Sequence, residues 1–265
     1  MTNMKTMMAF GVLALTGGCV TDEDSLGEAT QELNDVNVHT LSASAYAMKD
    51  LGVARGRACF LASIQGDISA SGATPGVAGA GIDYVGGHWQ LYVRPSSGTV
   101  TAKAVCVDTI TMTTEVTWST GQASQFLVSA ATNNRCFLTE VTTSPNQPLA
   151  GGLHTDSDVV EIINSGGNWR LGGSTIGVVT AKARCIVTAG NLGEATVWAP
   201  AGQYLGTPTL VTDDATACML TRVNGHFDVD GRGLSMSHVV GPSGNDHYWS
   251  LFAIDGSGGS RRCVD

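Results

Sequence analysis

Five tryptophans fall into two registers of one period. Trp89, Trp169 and Trp249 stand 80 residues apart, and the other two, Trp118 and Trp198, are separated by 80 as well. The cysteines keep the same phase. "CFLASI" begins at Cys59, "CFLTEV" at Cys136 and "CMLTRV" at Cys218; the three phrases lead on to "GGHWQL", "GGNWRL" and "DHYWSL" and close on Cys106, Cys185 and Cys263. The first two closings share a phrase, "TAKAVC" and "TAKARC". Composition bias does not hold Cys, Trp and a shared phrase in one phase, so the chain reads as three copies of one unit. The copies span residues 37–110, 111–190 and 191–265, each about 75–80 residues long.

Charged residues are only 14% of the chain and Gly is 34 of 265, a mix suited to many short strands and tight turns. The second copy reads as strands near "TEVTW", "QFLVS", "RCFLTEV", "VVEII", "WRLGG" and "VVTAKARCIV", with "INSGGNW" as a hairpin turn in which Gly supplies positive φ. Side chains alternate across a strand. Val179, Ala181, Ala183 and Cys185 therefore share a small apolar face, and Thr180, Lys182 and Arg184 the solvated one. "CFLTEV" is apolar on both faces and reads as an inner strand. The third copy ends "GGSRRC", with Arg261 at an alanine position, so its last strand is expected to be looser or at an edge. The expectation is an all-β fold of three disulfide-stapled repeats packed with pseudo-threefold symmetry, prism-like or trefoil-like. Three small sandwiches in a row is the alternative.

The chain begins "MTNMKTMMAFGVLALTGGC", with one early cation, Lys5, a short apolar run and small residues. This resembles a bacterial lipoprotein signal, with residues 1–18 removed and Cys19 carrying the lipid. Thr16 stands where such signals usually have Leu, and Leu15 lies one place back; plain secretion is the alternative. Val20 after the cysteine, by resemblance to enterobacterial lipoproteins, implies the outer membrane or the cell surface. Residues 19–36 continue as a strongly acidic stretch that cannot bury enough apolar surface to order itself and reads as a tether. With Cys19 assigned to the anchor, six of the seven cysteines remain. The period favours Cys59–Cys106, Cys136–Cys185 and Cys218–Cys263. A ring of Cys106–Cys136, Cys185–Cys218 and Cys263–Cys59 respects it too. Either set requires an oxidising compartment.

The phrases "CFLT.V", "G.W.L" and "A.A.C" together resemble a family of repeats in secreted proteins of gliding and predatory bacteria. The resemblance covers residues 37–265 and implies an exported β-repeat protein, with no activity attached. The residues point to little chemistry. There is no G-x-S-x-G, H-E-x-x-H or phosphate-binding loop motif, no cofactor is implied, and "DGSGGS" lacks the acid and the histidine motif of a serine protease. A net charge of −9 argues against a nucleic-acid partner. Two stretches, "HTDSD" and "HFDVD", offer His154, Asp156, Asp158, Asp228 and Asp230 as metal candidates, but out of register with each other, and polar loop residues are the simpler reading. Trp89, Trp169 and Trp249 follow turns where a sugar ring could stack, although packing is the commoner use of a periodic Trp. The resulting expectation is a non-catalytic surface binding module, lectin-like toward a glycan or envelope polymer, contacting the membrane only through its N-terminal lipid. A structural or adhesive envelope lipoprotein comes next, and a hydrolase last.

Overall fold

A computed structural model describes residues 36–69, 77–108, 111–130, 133–144, 153–188, 193–213, 216–242, 244 and 246–264. The signal segment, Cys19 and the tether before residue 36 lie outside the described residues. Nineteen strands and no helix occur among the described residues, so no helix is long and apolar enough to cross a membrane. The first third of the chain supplies β1 (Val36–Ala43), β2 (Ala47–Val53), β3 (Arg57–Asp67), β4 (Ala78–Val85), β5 (His88–Arg94) and β6 (Ser97–Asp108). The second supplies β7 (Val116–Ser119), β8 (Gln125–Ser129), β9 (Asn134–Ser144), β10 (Val159–Ser165), β11 (Asn168–Ser174) and β12 (Val178–Val187). The last supplies β13 (Glu194–Trp198), β14 (Tyr204–Gly206), β15 (Leu210–Thr212), β16 (Ala217–Gly225), β17 (Gly233–Val240), β18 (His247–Ile254) and β19 (Ser257–Val264).

These strands form three antiparallel sheets, and every sheet mixes two thirds of the chain. The first sheet runs β1-β6-β3-β17-β18-β14, with β15 also on β18; the second runs β2-β5-β4-β9-β12-β7; the third runs β13-β19-β16-β10-β11-β8. Each third thus keeps its two cysteine strands in one sheet and sends its hairpin, β4-β5, β10-β11 or β17-β18, into another. The connectivity is cyclic, because the last third returns its hairpin to the first sheet. Three independent sandwiches in a row do not form. The thirds are joined by backbone ladders at β4–β9, β10–β16 and β17–β3. At two of these junctions the incoming strand carries a glycine at positive φ, Gly79 and Gly233. A Cβ there would lie 2.4 Å from the Val141 or Ile64 carbonyl oxygen of the receiving strand, so only glycine permits that approach.

The disulfides staple neighbouring strands within each third. Cys59 bonds Cys106, Cys136 bonds Cys185 and Cys218 bonds Cys263, each pair directly opposite across a ladder. The residue after each leading cysteine, Phe60, Phe137 or Met219, points into the core, where the Phe60 and Phe137 rings lie 5.1 Å apart. β3, β9 and β16 touch one another there. At one end Ile68, Leu153 and Phe227 close the core. The Phe227 amide donates to the Leu153 carbonyl at 2.7 Å, the Ile68 amide to the Phe227 carbonyl at 2.9 Å, and the Thr143 hydroxyl to the Ile68 carbonyl.

The final strand differs from its sequence reading. β19 is neither loose nor at an edge: it lies between β13 and β16 and is buried along its whole length. Gly258 and Gly259 allow this. Their missing side chains make room for Trp198 and Leu234, which an added Cβ would meet at 2.6 and 2.4 Å.

Candidate functional site

A concentration of interacting polar side chains lies on the second sheet. One row across it reads Tyr92, Gly81, Glu140 and Lys182, on β5, β4, β9 and β12. Gly81 is the device that brings the row together. Without a side chain, it lets the Tyr92 ring lie across β4, where a Cβ would sit 2.7 Å from the phenol oxygen. The phenol reaches Glu140 and is hydrogen-bonded to it; burial and then the Glu140 charge push its pKa well above the usual tyrosine range. Glu140 is buried, and its Oε2 lies 2.6 Å from Lys182 Nζ, while Thr142 Oγ1 donates to its other oxygen at 3.3 Å. Burial pulls the Lys182 ammonium down, but the hydrogen bond and charge of Glu140, with help from Glu115, outweigh it and leave the pKa raised. Asp83 stands nearby with its carboxyl raised, first by desolvation and then by the Glu140 charge. Arg94 spans the Tyr46 and Tyr92 rings at 4.7 and 5.2 Å from their centroids. Asp83, Tyr92, Arg94, Glu140, Thr180 and Lys182 line a cavity of about 340 Å³ together with Thr142, Thr143 and Ser144.

The third sheet carries a counterpart built from different residues. Its corresponding row reads Gly172, Glu161, Arg222, Ser260 and Thr196. Arg222 lies 3.5 Å from Glu161 beside a cavity of about 360 Å³, which Trp169 and Arg262 also line. A flanking motif is common to both sheets: Thr139 and Arg184 grip Glu115 at 3.0 and 3.4 Å, and Thr221 and Arg262 grip Glu194, each at 2.8 Å. On the first sheet Lys103 donates to the Met236 carbonyl at 2.6 Å instead of meeting an acid, so the shared "TAK" phrase serves two uses.

The candidate stacking tryptophans are buried: Trp89 is 2% exposed, Trp169 8% and Trp249 0%. Their faces are covered from within. Arg184 and Tyr84 approach Trp89, Arg262 lies 4.3 Å over Trp169, and the tilted His238 ring lies 4.2 Å from that of Trp249. The indole N–H groups of Trp89 and Trp169 donate to the carbonyls of Arg57 and Asn134, each two residues before a leading cysteine, whereas the Trp249 N–H is buried without a partner among the described residues. Open stacking on these three rings is therefore replaced by packing. In the other register Trp118 is buried and donates to the Gln122 carbonyl, and Trp198 is half-buried against Gly225 and Gly258.

The two His-x-Asp-x-Asp stretches do meet, but they meet as structural loops. His226 Nε2 lies 3.0 Å from Asp156, and the Gly225 amide donates to the Asp158 carbonyl. Asp158 is fully buried and accepts the amides of His154, Thr155 and Ile176. Asp228 pairs with Arg232 at 2.7 Å, and Asp230 accepts the Thr99 amide. Among the described residues no three such groups converge as a metal would require. Ser257 of "DGSGGS" is buried and bonds the Gly233 and Ile254 carbonyls, which leaves it a turn-forming hydroxyl. In comparisons with known proteins, no protein-family model matches the chain and no curated protein matches it.

Proposed function

We propose that the protein is a non-catalytic, lectin-like binding module held at the cell surface by a lipid on Cys19, and that the second-sheet cavity receives a glycan or envelope polymer. One observation carries the reading. Two carboxyls, two cations and several hydroxyl-bearing residues share a space of about 340 Å³ beside the largely buried Tyr92. That is the polar inventory a polyhydroxylated ligand needs: donors and acceptors set close together in one space. Glu140 is tied to both Lys182 and Tyr92, so its oxygens are fixed in direction before a ligand arrives. The three disulfides fit an oxidising compartment. The binding reading is tested by presenting the full chain to an array of glycans and cell-wall polymers and titrating the best hit by calorimetry. Tyr92→Ala and Lys182→Ala are each expected to weaken that hit about tenfold or more, the loss of one or two hydrogen bonds with their packing. Failure of every polymer to bind, or wild-type affinity in both variants, overturns the reading and leaves the structural or adhesive envelope role. The anchor is tested separately. Cys19→Ala should move the protein from the membrane to the soluble fraction, and a wild-type chain that is already soluble and free of lipid refutes it.

A further inference from the structure

The third disulfide has a cation beside it that the other two lack. Two residues before each closing cysteine the chain places Ala104, Ala183 and Arg261. All three are buried; Arg261 is 3% exposed. The neighbours of the guanidinium are poor acceptors. Its Nη1 lies 2.6 Å from Cys263 Sγ and 3.6 Å from Cys218 Sγ, its Nη2 lies 3.4 Å from the Pro208 carbonyl, and its Nε has no partner among the described residues. Disulfide sulfur accepts hydrogen bonds only weakly. The nearest acid in sequence register, Glu194, is already taken: one oxygen meets Arg262 at 2.8 Å and the other accepts the Thr221 hydroxyl at 2.8 Å. Among the described residues no carboxylate forms an ion pair with Arg261. An arginine keeps its charge at any ordinary pH, and a buried charge without a counter-charge is costly. Burial is the single cause pulling its pKa below the usual range.

A cavity of about 190 Å³ opens beside Arg261, lined also by Gly193, Glu194, Ala195, Pro208, Thr209 and Leu210; the Glu194 carboxylate is the one acid in this lining, and Arg262 neutralises it. The Thr209 hydroxyl accepts from Ser250 at 3.0 Å, so its own proton is available to another acceptor. We propose that this cavity is an anion site in which Arg261 holds a small oxyanion, a carboxylate or a phosphate, with its planar fork of donors. The site supplies a counter-charge that no described residue provides, and it belongs to the last third alone. It is separate from the second-sheet cavity and does not depend on what that cavity binds.

The test compares the full chain with Arg261→Ala and Arg261→Lys. Alanine is what the other two thirds carry at this position, so the first variant fits a context the fold already uses. Acetate, glucuronate, phosphate and sulfate are titrated at constant ionic strength, with chloride as the control salt, and the melting temperature and heat of binding are followed. The wild type should show a saturable rise in melting temperature with at least one oxyanion and none with chloride, and the choice among the four distinguishes a carboxylate ligand from a phosphate. Arg261→Ala should lose the response and, without anion, melt at or above the wild type. Arg261→Lys should bind about tenfold more weakly, having the charge without the fork. A wild type that ignores all four oxyanions, or an Arg261→Ala protein that responds as the wild type does, overturns the proposal. If Arg261→Ala fails to fold, the lysine comparison decides, and equal affinity there overturns it too.

Discussion

At the scale of single residues, the three periodic tryptophans do the same job with unequal bonding. Removing the Trp89 or Trp169 side chain to Ala should cost about 3–5 kcal/mol, the usual penalty for a large buried aromatic. The finer distinction lies in the indole N–H. Trp89→Phe and Trp169→Phe each remove a hydrogen bond to a backbone carbonyl, of Arg57 and of Asn134 (which keeps its bond from Arg135), whereas Trp249→Phe removes none, because its N–H meets no acceptor among the described residues. Urea titration should therefore rank Trp249→Phe as the mildest of the three, by about 1 kcal/mol. Above Trp249, His238 is held neutral. Burial first, then His247 at 2.8 Å and then Lys103 lower its pKa to about 4 from 6.5. A depressed pKa favours the neutral form in the fold, so its contribution to stability is complete above about pH 6.5 and is lost as pH falls toward and through 4. His238→Gln should flatten the stability profile across that window, as measured by denaturation at a series of pH values.

At the scale of elements, the cysteine strands and the hairpins were legible for different reasons and to different depths. All six strands read from the second third are present as β7 to β12. The alternation of "VVTAKARC" matches the observed burial, with Val179, Ala181, Ala183 and Cys185 inside. The type of these strands follows from side-chain period and turn residues, both local. What was not legible is which sheet receives each hairpin. A period of 80 says that hairpins recur and is silent on whether β4-β5 pairs with β3 or with β9. The cavity row is illegible in the sequence for a related reason. Repeat logic looks for sameness, whereas the row changes between thirds: Gly81 answers to Glu161, Tyr92 to Gly172, Glu140 to Arg222 and Lys182 to Ser260. Only Lys182 stood out, through the shared "TAK". Arg261 misleads a sequence reading because an arginine in a strand normally signals solvent, and here glycine neighbours let the strand lie inside. The staples themselves invite a measurement. Each closes a loop of 45 to 49 residues. Replacing both cysteines of one pair by alanine should cost about 2–5 kcal/mol. The Cys218–Cys263 replacement should additionally disturb Arg261, whose Nη1 lies against those sulfurs. A smaller loss of stability there than at Cys136–Cys185 would contradict that contact.

At the scale of the whole molecule, exchange of hairpins makes the thirds interdependent. A chain restricted to residues 111–190 would hold β9 without β4-β5 and β10-β11 without β16, leaving two half-sheets with open edges. Such a fragment should show no cooperative unfolding transition, and a single sharp one from it would mean that the ladders between thirds are dispensable. The same exchange sets a timetable for a chain that emerges N-terminus first. The second sheet has all its strands once Val187 is out, but β3 waits for β17, and the Ser63 hydroxyl for the Leu234 carbonyl 171 residues downstream. During that interval the flank of β3 offers free amides and carbonyls, and an unpaired strand flank is a template for aggregation. The early Cys59–Cys106 bond does not cover this flank, since β6 lies on the other side of β3. The most vulnerable moment in the life of this molecule is therefore late in its synthesis, when most of it is already built and its first sheet still lacks the hairpin that completes it.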